Sequence, residues 1–150
     1  MAKSSTAFRA LMVLTVIILG TLWLLSTLEP KKPAQLYPAT IDRDCAPWDG
    51  AAFTISILGR DAATIHISIY QSPKILHPAI FSFPDETLRK GNVVLLRPAG
   101  LPEQLTGKVF FERIEAGKPV EGQFDLISEG GEKLTGKFRA EWGNQVVYCG

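Results

Sequence analysis

Two cysteines, two histidines and a scatter of carboxylates and serines are the residues of this chain that chemistry could use. Cys45 and Cys149 bracket almost the whole polar part of the chain, and there are no others. One cysteine at each end of a domain has the pattern of a terminal staple. Paired, they close a loop of roughly 100 residues, which the chain-entropy model values at up to about 4–5 kcal/mol. Bridged sulfurs supply no thiolate nucleophile. His66 and His77 are too few for a zinc site. Asp42, Asp44 and Asp49 cluster around Cys45 but lack the glycine and closing glutamate of a calcium loop. No metal and no cofactor is therefore expected.

Other catalytic arrangements find little support. No G-x-S-x-G elbow surrounds any serine. Glu112 and Glu141 fall beside Lys or Arg in a solvated phase, which suits a charge ladder better than a raised-pKa acid. The stretch 129–132 is glycine-bearing but acidic, without the lysine of a phosphate loop. No catalytic residue is assigned. A small envelope hydrolase, its site assembled from scattered polar residues, is the alternative reading.

Three aromatic residues suggest binding instead. Phe110 falls in the outward phase of its strand, Tyr70 ends another, and Trp48 precedes the first in Cys45-Ala46-Pro47-Trp48-Asp49-Gly50. Exposed rings of this kind anchor recognition surfaces. The competing use is packing, with Trp48 lidding the core and Phe110 covered by a loop. With 16 Lys+Arg against 15 Asp+Glu the formal charge is +1. That balance gives no reason to expect nucleic acid as a partner.

The elements that position these residues are of two kinds. Residues 10–28 carry no charged side chain. As a helix they span roughly 28 Å, close to the ~30 Å of bilayer hydrocarbon. The run is longer than a signal peptide's apolar region and ends without a clean small-x-small site. The reading is an uncleaved signal anchor over 10–28 after a cytoplasmic tail over 1–9, with a secreted, cleaved form as the alternative. Residues 29–44 form a proline-containing tether, with Pro30, Pro33 and Pro38 favouring extended chain. The bilayer is then one partner, and another membrane or envelope protein a second. A cysteine pair implies an oxidising compartment. The domain over 45–150 is accordingly expected on the periplasmic or extracellular side of the cell membrane.

From Cys45 onward the period is two. Phe53, Ile55 and Ile57 alternate with small polar residues, as do Ile65, Ile67 and Ile69. Strands are also expected over 79–83 and 92–97. A weak repeat follows: Leu105-Thr106-Gly107-Lys108-Val109, Val120-Glu121-Gly122-Gln123-Phe124 and Leu134-Thr135-Gly136-Lys137-Phe138. Its spacing fits an antiparallel meander with the apolar phase and the three glycines inward. Gly143-Asn144 suggests a last hairpin into 145–149. The expected fold is all-β: an antiparallel sandwich, or a small partly open barrel, of seven to eight strands behind one N-terminal transmembrane helix. The expected role is a non-catalytic, membrane-anchored binding module or accessory subunit.

Overall fold

The computed structural model of the protein describes residues 35–149, apart from 88 and 145. The expected tail, the membrane segment and the first part of the tether lie outside the described residues. Among the described residues no helix is long and apolar enough to cross a membrane.

The fold is all-β: a closed barrel of seven strands with an eighth strand added to its wall. The elements are β1 (Leu36–Cys45), β2 (Ala51–Leu58), β3 (Thr64–Ile69), β4 (Lys74–Ile75), β5 (Ala79–Phe83), β6 (Gly91–Leu96), β7 (Glu103–Phe111), β8 (Ile114–Glu115), β9 (Val120–Ser128) and β10 (Lys133–Trp142). Around the barrel the order is β7-β6-β3-β2-β1-β10-β9, returning to β7. Consecutive barrel strands are antiparallel, and β1 and β10 run parallel. The odd strand number requires this. In an up-and-down meander of seven, the first and last strands point the same way, so the seam that closes the ring is parallel. The two-sheet sandwich is thereby set aside, and the barrel is closed rather than partly open.

Alternation builds the core as expected. In β9 every second residue from Val120 to Ser128 is buried, and β3 shows the same pattern on Ile65, Ile67 and Ile69. Phe111 sits at the centre, fully buried, with Phe53, Phe81 and Phe138 edge-on around it at 5.7–6.4 Å. The repeated glycines make room for rings. Gly122 stands opposite Phe138, and Gly136 opposite Phe124. A Cβ on Gly136 would lie 2.4 Å from the Tyr37 ring, and one on Gly122 would lie 2.5 Å from Phe138. Large and small residues thus alternate across the seam, a packing that relieves a strand of its bare glycines. The outward charge ladder is present where Arg139 pairs across the strands with Glu121 at 3.1 Å.

Two segments depart from the sequence reading. The far half of the expected tether is β1, whose Tyr37, Ala39 and Ile41 face inward. Pro38 is tolerated for a geometric reason. Gln35 and Ile41 accept from Lys137 and Gly143 through their backbone oxygens, so odd-numbered residues turn their polar groups toward β10. The missing donor of Pro38 faces the β2 side, one place beyond the last pair, Ala39 with Ile57. The second departure is the last hairpin. Residues 146–149 form no strand. Both edges of β10 are taken, by β9 and β1, and no ladder is open to receive another strand.

The added strand explains Gly107. Strand β6 pairs with β7 only at Val94–Gln104 and Leu95–Glu103. Further along, β5 takes over the same edge, from Phe83–Gly107 to Ala79–Phe111. The side-chain amide of Gln104 donates to the Val93 carbonyl at 2.9 Å where the β6 ladder ends. Gly107 stands at the changeover with φ +134, and a Cβ there would meet the Asp125 carbonyl at 2.2 Å. Only glycine admits so close a backbone.

The β5–β6 loop is organised by one carboxylate. Buried Asp85 accepts at Oδ2 from the Thr87 hydroxyl at 2.6 Å and from the backbone N–H groups of Arg89 and Lys90, each at 3.0 Å. The Thr87 bond, those N–H groups and the Lys90 ammonium hold its carboxyl down at about 2, against an ordinary 3.8. A depressed pKa means the folded form binds the proton less readily than the unfolded chain. The stabilisation is complete above the ordinary value and is lost as pH falls through about 2. Asp85→Asn is expected to flatten the acid limb of a thermal-melting profile between about pH 4 and pH 2. An unchanged acid limb would remove Asp85 from the account.

Candidate functional site

Of the residues that sequence singled out for chemistry, Cys45, Cys149, Asp44, Trp48 and Tyr70 gather at one end of the barrel. At this end β1 hands over to β2 through a tight turn in which Asp49 donates to the Ala46 carbonyl and takes φ 62. Trp48 projects from the turn, 51% exposed, and meets the Tyr70 ring edge-on at 5.4 Å. About half of the Trp48 surface remains in solvent. Burial raises the Tyr70 phenol above its ordinary pKa, and the Asp44 carboxylate raises it further. Phe110 is half-buried on the outer wall, across the ladder from Ile80, which is 66% exposed. No ring contact joins Phe110 to the Trp48–Tyr70 pair among the described residues.

The expected disulfide is present. Cys45 and Cys149 are bridged, with Cα atoms 5.6 Å apart. It fastens the strand-free C-terminal segment to the end of β1, beside the parallel seam. The Cys149 sulfur also lies 3.6 Å from the Asp44 carbonyl.

Between this segment and the small β4–β8 ladder opens a groove of about 560 Å³. That is within the usual size of small-ligand sites. Ala51, Ala52, Leu76, Ala116 and Val147 form its apolar part, and Cys149 of the disulfide lines one side. Trp142 braces the far wall: its indole N–H donates to the backbone carbonyls of Glu115 and Lys118, at 3.1 and 2.8 Å. Five charged residues line it: Arg43, Asp44, Lys74, Arg113 and Glu115.

The acids among them are already engaged. Asp44 accepts from its neighbour's backbone, Cys45 N–H, at 2.8 Å and from the Thr54 hydroxyl at 2.9 Å. Glu115 pairs with Arg113 and, at 2.9 Å, with Lys118. The Lys118 ammonium, with Arg113 beside it, holds the Glu115 carboxyl below its ordinary pKa. The Arg43 guanidinium and the Lys74 ammonium have no hydrogen-bond or ion-pair partner among the described residues. In β1, Tyr37, Ala39 and Ile41 face inward, and Arg43 continues that phase past the packed layer to the rim. Sequence reading passed over Arg43 and Arg113, and Lys74 read only as part of a mildly basic, solvated middle stretch. The continued alternation of β1 was the available signal for Arg43, and the two-residue β4 and β8 strands are too short to show a period for Lys74 or Arg113.

A row of polar groups also runs along the outer wall. Thr54 donates to Asp44, and its hydroxyl lies 3.1 Å from the Ser68 hydroxyl. His66 shares this face but lies opposite Ser56, with no hydrogen bond to either hydroxyl among the described residues. The row therefore aligns an acid with two hydroxyls and brings no imidazole to the Ser68 proton. Asp42 packs against Gly143, where a Cβ would come 1.9 Å from Oδ1. Among the described residues no three metal-type side chains converge.

The fold and groove define a closed, disulfide-tied β-barrel with a ligand-sized opening at one end. The chain matches no family model, no curated protein and no solved structure.

Proposed function

We propose that the protein is a membrane-tethered extracytoplasmic binding module, serving alone or as the accessory subunit of an envelope complex. The observation that carries this reading is that the groove and the Trp48–Tyr70 pair lie together at one end of the barrel. The chain enters β1 near the β9–β10 turn, where Leu36 pairs with Lys137. The groove, Trp48 and Tyr70 lie at the opposite end, where β1 finishes at Cys45. The disulfide supports placement in an oxidising compartment, where such bonds persist. The half-exposed Trp48 on Tyr70 is a rigid amphipathic anchor of the kind that dominates binding surfaces.

A photoreactive phenylalanine placed singly at positions 48, 70 and 110 of the full-length chain in cells tests this reading. Light-dependent adducts are expected from 48 and 70 and none from 110. Adducts from 110 alone, or from no position, would contradict the assignment of the binding end.

A further inference from the structure

We infer that the groove is a binding site for a small amphiphilic anion: a phosphate or carboxylate head carrying a short hydrocarbon portion. The inference rests on the groove end being the binding end and adds the class of ligand.

Charge accounting within the groove leads to the head group. Of five charged lining residues, the two acids are already satisfied. Asp44 is held by Cys45 N–H and Thr54, and Glu115 by Arg113 and Lys118. The Arg43 guanidinium and the Lys74 ammonium remain without a partner among the described residues, on β1 and β4 respectively. Two unpaired cations lining one concavity attract an anion, and the apolar wall of the groove lowers the screening that water would supply. A guanidinium and an ammonium lining one groove suit an oxyanion, the first by a two-pronged fork and the second as a point charge.

The walls lead to the hydrocarbon portion. Leu76 is 48% exposed at the groove, and Ala51, Ala116 and Val147 continue its apolar surface. An inorganic ion would leave this surface wet, whereas a few methylenes would cover it and gain from leaving water. The volume of about 560 Å³ admits a small molecule. The ligand is taken as a free molecule, and phosphatidylglycerol in the bilayer is the arm of the test that distinguishes a lipid headgroup from it.

The test is calorimetric titration of the full-length chain in phosphatidylcholine nanodiscs, with empty discs as reference. The probes are hexyl phosphate, inorganic phosphate and hexanol. Hexyl phosphate is expected to bind saturably and more tightly than either fragment. Arg43→Gln and Lys74→Gln, both at exposed positions, are each expected to weaken it about tenfold, the loss of one charge-assisted hydrogen bond. Ala116→Trp, on an exposed turn, is expected to abolish binding by filling the groove. Hexanol binding as tightly as hexyl phosphate would overturn the anionic head, and inorganic phosphate binding as tightly would overturn the hydrocarbon portion. Competition from phosphatidylglycerol in the discs would overturn the free ligand. If the two glutamine variants bind normally while Ala116→Trp does not, the ligand class fails and the groove survives as the binding end. If Ala116→Trp binds normally, or no probe binds, the inference is overturned. Adducts at 48 and 70 persisting in that case would show that the binding end itself still stands.

Discussion

Phe111→Ala is expected to destabilise the barrel by about 3–5 kcal/mol, the range for truncating a fully buried phenylalanine. The position gives reason to expect the upper part. Phe111 is fully buried and, among the described residues, is the one ring that touches three others, Phe53, Phe81 and Phe138, from β2, β5 and β10. These strands belong to rigid hydrogen-bonded ladders, so the space left by the ring does not collapse readily. Phe111 also pairs with Ala79 of β5 and Gly122 of β9. Its loss loosens the added strand and the barrel wall together. Urea unfolding of the full-length chain in detergent, followed by far-UV circular dichroism, would measure the change in midpoint. Phe111→Leu, which keeps most of the volume, should lose markedly less. Equal losses for Leu and Ala would mean that the ring geometry, and not its volume, sets the stability. A loss under about 1 kcal/mol for Ala would contradict the packing described.

Removing the bridge is the second large effect. Cys45 and Cys149 are 104 residues apart in sequence, so the bond restrains nearly the whole unfolded domain. The chain-entropy model gives about 4–5 kcal/mol for such a loop, and measured losses are typically about 2–4 kcal/mol. The paired replacement Cys45→Ser with Cys149→Ser is expected in that range. It should also act locally. The bond ties the strand-free segment 146–149 to the end of β1 and so holds Val147 against the groove. In the double variant, amide hydrogen exchange at positions 146–148 should rise to the rate of unstructured chain, while β9 keeps its protection relative to the new global stability. Unchanged stability and unchanged exchange would show that the bridge restrains neither the unfolded chain nor this segment.

Much of the barrel was legible because it obeys simple periodicity. Ile55, Ile67, Val109, Phe124 and Phe138 were placed inward by alternation alone, and all are buried. The repeat around Gly107, Gly122 and Gly136 announced a meander, and β7, β9 and β10 form one. Strand β1 was not legible. Its inward phase is Tyr37, Ala39 and Ile41, interrupted outward by Pro38 and followed by Asp42, Arg43 and Asp44. It is completed as a strand by its position between β2 and β10, which no local signal contains. Ring closure was hidden for the same reason, since it depends on which strands lie side by side. The disulfide could be read from cysteine count and spacing. The groove could not, because Arg43, Lys74 and Arg113 come from three separated elements and are joined only by the fold. Of the aromatic residues proposed for recognition, Trp48 and Tyr70 are brought together, and Phe110 stands apart on the wall because β7 carries it there.

The central claim is a barrel held at a membrane with its bridge formed on the oxidising side. Intact mass measurement of the full-length chain tests it most directly. Cells are quenched with an alkylating reagent, and membranes are washed at alkaline pH before extraction. The account predicts that the chain remains in the washed membranes, retains residues 1–28, carries no alkyl adduct and lacks the two thiol hydrogens. A chain released into the wash with two adducts, at Cys45 and Cys149, would contradict it.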